Sequence, residues 1–98
     1  MAKYLVTWEV NQTLLPTNPK ELATMVVFLG EMVKQTMKEG KATDWGTFID
    51  GAKGYGIYET TALDTYKSLQ QWAPYFKFNV QEVLSVDDLL KTFKPMMK

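Results

Sequence analysis

The chain contains no cysteine, no histidine and no arginine; all eleven of its basic residues are lysine. Without cysteine there is no disulfide, no thiolate nucleophile and no sulfur ligand for a metal. Without histidine there is no imidazole base, no ordinary zinc site and no histidine ligand for haem. Without arginine there is no planar, bidentate clamp for a carboxylate or phosphate. Eleven acids balance the eleven lysines, so the net charge is zero and nothing draws the chain to nucleic acid or to an anionic membrane. No run is long and apolar enough to read as a signal peptide or a membrane span, and a cytoplasmic location is the expectation.

What the chain does have is a core. Ninety-eight residues make one domain, expected to run from residue 1 to 98, and 46% of them are hydrophobic. Three tryptophans, five tyrosines and five phenylalanines add large apolar surfaces.

Lys3 to Val10 alternates, with Tyr4, Val6, Trp8 and Val10 on one face and Lys3, Leu5, Thr7 and Glu9 on the other, which predicts a half-buried strand. Asn18 then caps a helix whose first residue is Pro19. Leu22, Met25, Val26, Leu29, Val33 and Met37 draw an apolar stripe along it, and Gly40 ends it. Val27 and Phe28 fall off the stripe, as a second contact surface or as scattered exposure.

A second strand is expected over 42–50, a turn over Gly51 to Gly54, and a third strand from Tyr55 to Glu59. Thr61 and Asp64 open a second helix with Leu63, Tyr66, Leu69 and Ala73 on its apolar side, and Pro74 stops it. A fourth strand runs over 76–84, with Phe76, Phe78 and Val80 on one face. Ser85 and Asp88 cap a short final helix, Val86 to Phe93.

The order is strand, helix, strand, strand, helix, strand. It predicts an α+β, ferredoxin-like βαββαβ domain: a four-stranded antiparallel sheet, two helices on one face and a short C-terminal helix. Leu22, Met25, Val26, Leu29, Val33, Leu63 and Leu69 are its expected buried helix residues. The other sheet face must be wet or covered by something else.

Three sets of residues could carry chemistry. Lys53-Gly54-Tyr55-Gly56 resembles the third-strand signature of the RNA-recognition motif, where rings on an open sheet stack bases. Ile57 and Thr60 stand where that motif carries further aromatics, and a Gly-rich hairpin leading into an ordinary strand is the favoured reading of the run. Strand carboxylates such as Glu59 could serve as bases if burial raised their pKa; the plain reading is a solvent-facing acid. Trp8, Trp45, Tyr58, Trp72 and Tyr75 could line an apolar pocket, or could simply pack.

Gly54-Tyr55-Gly56-Ile57-Tyr58-Glu59-Thr60, a helix ending in Trp72-Ala73, Phe76-Lys77-Phe78-Asn79-Val80 and Val86-Asp87-Asp88, with Lys3 to Trp8 before them, together resemble an uncharacterised family of the dimeric α/β-barrel superfamily. That resemblance implies a homodimer whose two sheets pack face to face. Its relatives include cofactor-independent monooxygenases, muconolactone isomerases and haem enzymes; their catalytic or haem-binding histidine has no counterpart here.

The leading expectation is a homodimer joined through the open sheet face and the C-terminal segment. It would hold no cofactor and no metal, and would either bind a small hydrophobic molecule at Trp8, Trp45, Tyr58, Glu59, Trp72 and Tyr75 or be purely structural. One alternative is a cofactor-independent enzyme on small aromatic substrates with Glu59 or Tyr58 as its polar group. The other is a module for single-stranded RNA, which the missing arginines disfavour.

Overall fold

The computed structural model describes residues 2–97. Four strands, β1 (Lys3–Val10), β2 (Ala42–Thr47), β3 (Lys53–Glu59) and β4 (Phe76–Val83), form one sheet in the order β2-β3-β1-β4. Every neighbouring pair is antiparallel. The helices are α1 (Pro19–Lys38), α2 (Ala62–Gln70) and α3 (Val86–Phe93), with short 3-10 turns at Gln12–Leu14 and Lys94–Met97. This is the α+β, ferredoxin-like βαββαβ fold with an added C-terminal helix.

The helix starts follow their caps. The Asn18 side-chain oxygen accepts from the backbone N–H groups of Lys20 at 2.8 Å and Glu21 at 3.4 Å, and Pro19 fills the position whose N–H would have no partner. Thr61 caps α2 through the Asp64 N–H at 3.1 Å. Ser85 and Asp88 form a reciprocal capping box on α3. Gly40, at φ 80°, supplies the left-handed residue that stops α1.

Register fixes the faces. Val6 lies opposite Gly56 and Val80, and Trp8 opposite Gly54 and Phe78. A bulge between Ala42 and Asp44 lets both Ala42 and Trp45 point to that same inner side, against Tyr58 and Gly56. Leu69 of α2 packs with Val6, Ala42 and Tyr58. Leu29 and Val33 of α1 pack with Trp72, Trp45, Phe76 and Phe78. Both long helices therefore cover one face of the sheet.

Several expectations need correction. β2 stops at Thr47, and the turn is Phe48 to Ala52, not Gly51 to Gly54. Gly51 at φ 77° and the Asp50 carboxylate, which accepts from the Ala52 N–H at 3.0 Å, close it there. Lys53 and Gly54 are thereby free to pair with Glu9 and Trp8. β4 ends at Val83, one residue short of the expected boundary.

Of the seven expected core residues, Leu29, Val33 and Leu69 are buried and Leu22 and Met25 half-buried, but Val26 is 55% and Leu63 61% exposed. Helix α2 turns Thr65 and Leu69 inward, and Trp72 follows just beyond it, so Leu63 and Tyr66 lie on the far side. The Thr65 hydroxyl is buried at no polar cost because it donates to the Thr61 carbonyl at 3.0 Å.

Gly30 sits inside α1 with open space where a Cβ would go. Its replacement by alanine should raise stability by about 0.5–1 kcal/mol, since glycine loses the most backbone entropy on helix formation. Urea unfolding followed by circular dichroism checks this; a loss of stability would show that the site is tighter than it looks.

Candidate functional site: an aromatic cavity under the first helix

The N-terminal half of α1 stands off the sheet and leaves a cavity of about 410 Å³. Trp8, Trp45, Trp72 and Phe76 wall its sheet side. Leu22, Met25, Val26 and Leu29 wall its helix side, and this gap is why Val26 is exposed although it belongs to the apolar stripe. Gln12, Leu15, Asp50 and Ala52 form its rim, at the end of the sheet where β1 finishes and the β2–β3 turn lies.

The aromatic wall is ordered by its own packing. The Trp8 and Trp45 rings stack with centroids 5.3 Å apart and planes 14° from parallel. Phe76 meets Trp8 edge-on at 5.4 Å and Trp72 edge-on at 5.3 Å. The glycines of β3 make this stacking possible. A Cβ on Gly54 would collide with the Trp8 indole and with the Gly46 carbonyl, and one on Gly56 would lie 3.0 Å from the Tyr58 ring and 3.2 Å from Trp45. The Gly54-Tyr55-Gly56 run thus has a packing explanation on the inner face.

Among the described residues, one fully buried polar side-chain atom in the wall lacks a partner. Trp8 is 7% exposed, and its indole Nε1–H is buried with no acceptor among the described residues. A buried donor left unpaired costs about 1–3 kcal/mol. The atom is fully enclosed and so is not on the surface of the cavity.

The six residues singled out in the sequence divide three ways. Trp8, Trp45 and Trp72 come together in the cavity wall. Tyr58 lies beside them in the core, among Val6, Ala42 and Leu69. Glu59 and Tyr75 lie elsewhere. The Glu59 side chain is on the opposite face of the sheet with Lys3, whose Nζ is 3.9 Å away, and Tyr75 sits on the turn before β4, outside the cavity. The helix-side wall escaped the sequence reading, because a broad apolar stripe looks the same whether it meets a sheet or a space. Gly30, an unforced glycine in mid-helix at that place, was the available signal.

Burial pushes the Tyr58 phenol above its ordinary value of 10.0, so it stays neutral at neutral pH. Between the two values the folded chain holds a proton that the unfolded chain has lost. Stability from this group is therefore complete below pH 10.0 and falls as pH rises toward the folded value. Tyr58→Phe should flatten that alkaline loss relative to the parent in urea titrations at stepped pH; equal slopes would contradict it.

The outer face is mixed. Leu5, Tyr55, Ile57 and Val83 are half-buried there among Lys3, Glu9, Lys53 and Lys77. The Tyr55 ring lies over Gly46, and its hydroxyl donates to the Asp44 carboxylate at 2.8 Å, a bond that raises the phenol's pKa. No group of three acids is placed to hold a metal ion among the described residues, and no helix is long and apolar enough to cross a membrane. Compared with known proteins, the chain matches no family model and no curated protein.

Proposed function

We propose that this protein binds a small, mostly apolar molecule, as a homodimer whose open sheet faces stack. The observation that carries the binding reading is the 410 Å³ cavity walled by three tryptophans. Flat rings suit walls built from stacked and edge-on aromatics. The ligand is neutral, because no lysine among the described residues lines the cavity to balance a carboxylate. Binding is favoured over turnover: Glu59 faces away from the cavity and Tyr58 is held neutral.

The dimer is supported by the outer face. Leu5, Ile57, Tyr55 and Val83 give it a half-buried apolar centre within a charged surround, the pattern of an interface rather than of a fully solvated sheet. Two copies stacked about a two-fold axis would cover it in an isologous contact.

All three tryptophans of the chain border the cavity, so occupancy reports itself in tryptophan fluorescence. Titration with 2-acetylnaphthalene should give saturable quenching. Absence of saturable quenching up to the compound's solubility would overturn the binding reading.

A further inference from the structure

We infer that the first half of α1, Pro19 to Phe28, is a lid over the aromatic cavity, hinged at Gly30 and ordered by the molecule that fills the cavity. This rests on the binding proposed above and adds how that site opens and closes.

The helix is tied to the body along its second half. Leu29 and Val33 are its buried residues, and they pack in one cluster with Trp72. Just past the helix, the Lys41 carbonyl accepts from the Glu59 N–H at 2.9 Å, which fixes that end to the sheet. The first half has no such ties. From Pro19 to Phe28 no residue is buried, and only Leu22 and Met25 are half-buried.

The chain leading into the helix is no firmer. The Asn11 N–H donates to the Tyr75 carbonyl at 2.7 Å, and this is the last bond to the body before α1. Among the described residues, no hydrogen bond and no ion pair joins residues 12–28 to a strand or to another helix. An isolated helix needs roughly 12–15 residues to be even marginal in water, and the stretch from Pro19 to Phe28 is shorter. Its order comes from the Asn18 cap and from continuity with the second half. A segment supported in this way opens locally at a small fraction of the free energy of global unfolding.

Gly30 stands at the junction, one residue past Leu29. A Cβ there would meet nothing within 4 Å, so no close approach of backbone or side chain calls for glycine. Alanine would hold the helix better, because glycine loses the most backbone entropy on becoming helical. What glycine supplies is a weak point where supported helix passes into unsupported helix. Hinges are a few such positions that absorb the backbone change while the flanking pieces move as units.

The moving half carries its own reason to close. Leu22, Met25 and Val26 line the cavity on one side, Trp8, Trp45, Trp72 and Phe76 on the other, and about 410 Å³ lies between them. Val26, at 55% exposure, has that space where a partner would lie. An apolar molecule seated there takes area of both walls from water at once. It thereby supplies the tertiary contact that the first half lacks. A molecule admitted while this half is lifted is enclosed when it settles.

Hydrogen exchange on the full-length, unmodified chain reads the lid directly. In the free protein the amides of Leu22 to Phe28 should exchange at least about 10-fold faster than those of Val33 to Met37. 2-Acetylnaphthalene, at concentrations that saturate the tryptophan quenching, should slow the first set by about 10-fold or more. Gly30→Ala should slow the first set in the free protein by roughly 2–5-fold, since it removes the weak point without meeting a neighbour. Quenching accompanied by uniform exchange along α1, or by exchange of the first set that the compound leaves unchanged, would overturn the lid alone. A first set whose rate Gly30→Ala does not alter would overturn the hinge. Absence of quenching would overturn the binding reading and the lid with it.

Discussion

Gly54→Ala should destabilise the protein by about 3 kcal/mol or more, beyond the usual cost of overpacking a core, because what the new methyl meets is backbone as well as side chain. A Cβ at this position collides with the Trp8 indole and with the carbonyl oxygen of Gly46. The indole has nowhere to retreat: it is stacked on Trp45 and held edge-on by Phe76. The carbonyl cannot move without disturbing the β2–β3 pairing around Thr47 and Gly54. Two neighbouring glycines calibrate the effect. Gly56→Ala places its methyl 3.0 Å from the Tyr58 ring and 3.2 Å from Trp45, a strain that a few tenths of an ångström relieve, and should cost about 1 kcal/mol. Gly46→Ala meets only the Tyr55 ring, at 2.7 Å, on the outer face, where the ring can swing aside at the expense of its bond to Asp44. The expected order of loss is Gly54, Gly56, Gly46, measured by urea unfolding with far-ultraviolet circular dichroism so that tryptophan environment does not bias the signal. Equal losses at Gly54 and Gly56 would refute the account of why this strand carries glycines.

The elements were legible because local signals and the global fold agree. Asn18, Thr61 and Ser85 each cap the helix that their sequence announces, and Pro19 and Gly40 bracket the longest one. Period-two alternation gave the faces of β1 and β4 correctly, although Val80, on the edge strand, is 43% exposed. What failed depended on neighbours remote in sequence. Val26 and Leu63 satisfy helical periodicity as well as Leu29 and Leu69 do; only the placement of each helix over the sheet decides which meet a partner. The bulge at Ala42–Asp44 breaks the alternation that sequence parity assumes, and so hides that Ala42 and Trp45 share a face.

The candidate site was half legible for the same reason. Tryptophans on inward strand positions, and one just beyond α2, had to converge, and they do. Glu59 alternates to the outer face one residue after Tyr58, so the two cannot serve one pocket. The cavity itself could not be read from residue types, since it arises where part of α1 does not pack down on the sheet. The dual reading of the β3 glycines had a similar origin. Pattern alone does not say whether a glycine yields space to a base outside or to a tryptophan inside; the side on which Trp8 lies does.

Trp72→Ala should cost about 3–5 kcal/mol, a large part of the roughly 5–15 kcal/mol that holds a domain of this size. Trp72 is 7% exposed and is the buried residue that joins α1 to the chain between α2 and β4, packing on Leu29 and Val33. Its ring also meets Phe76 edge-on at 5.3 Å with planes 81° apart. Removing it opens the existing cavity toward the core, so the surroundings cannot collapse onto the missing volume without drawing α1 down onto the sheet. Trp72→Phe keeps an edge-on ring in place and should lose less than half as much. The two variants also separate stability from binding. If Trp72 is a wall of the ligand site, Trp72→Phe should leave a folded protein whose two remaining tryptophans, Trp8 and Trp45, still report 2-acetylnaphthalene, with weaker saturation because stacking area is lost. Urea midpoints at constant slope measure the first effect and fluorescence titration of the phenylalanine variant the second. A midpoint for Trp72→Ala within about 1 kcal/mol of the parent would show that this turn is not the keystone between the helices, since so large a truncation in a tight site cannot be that mild.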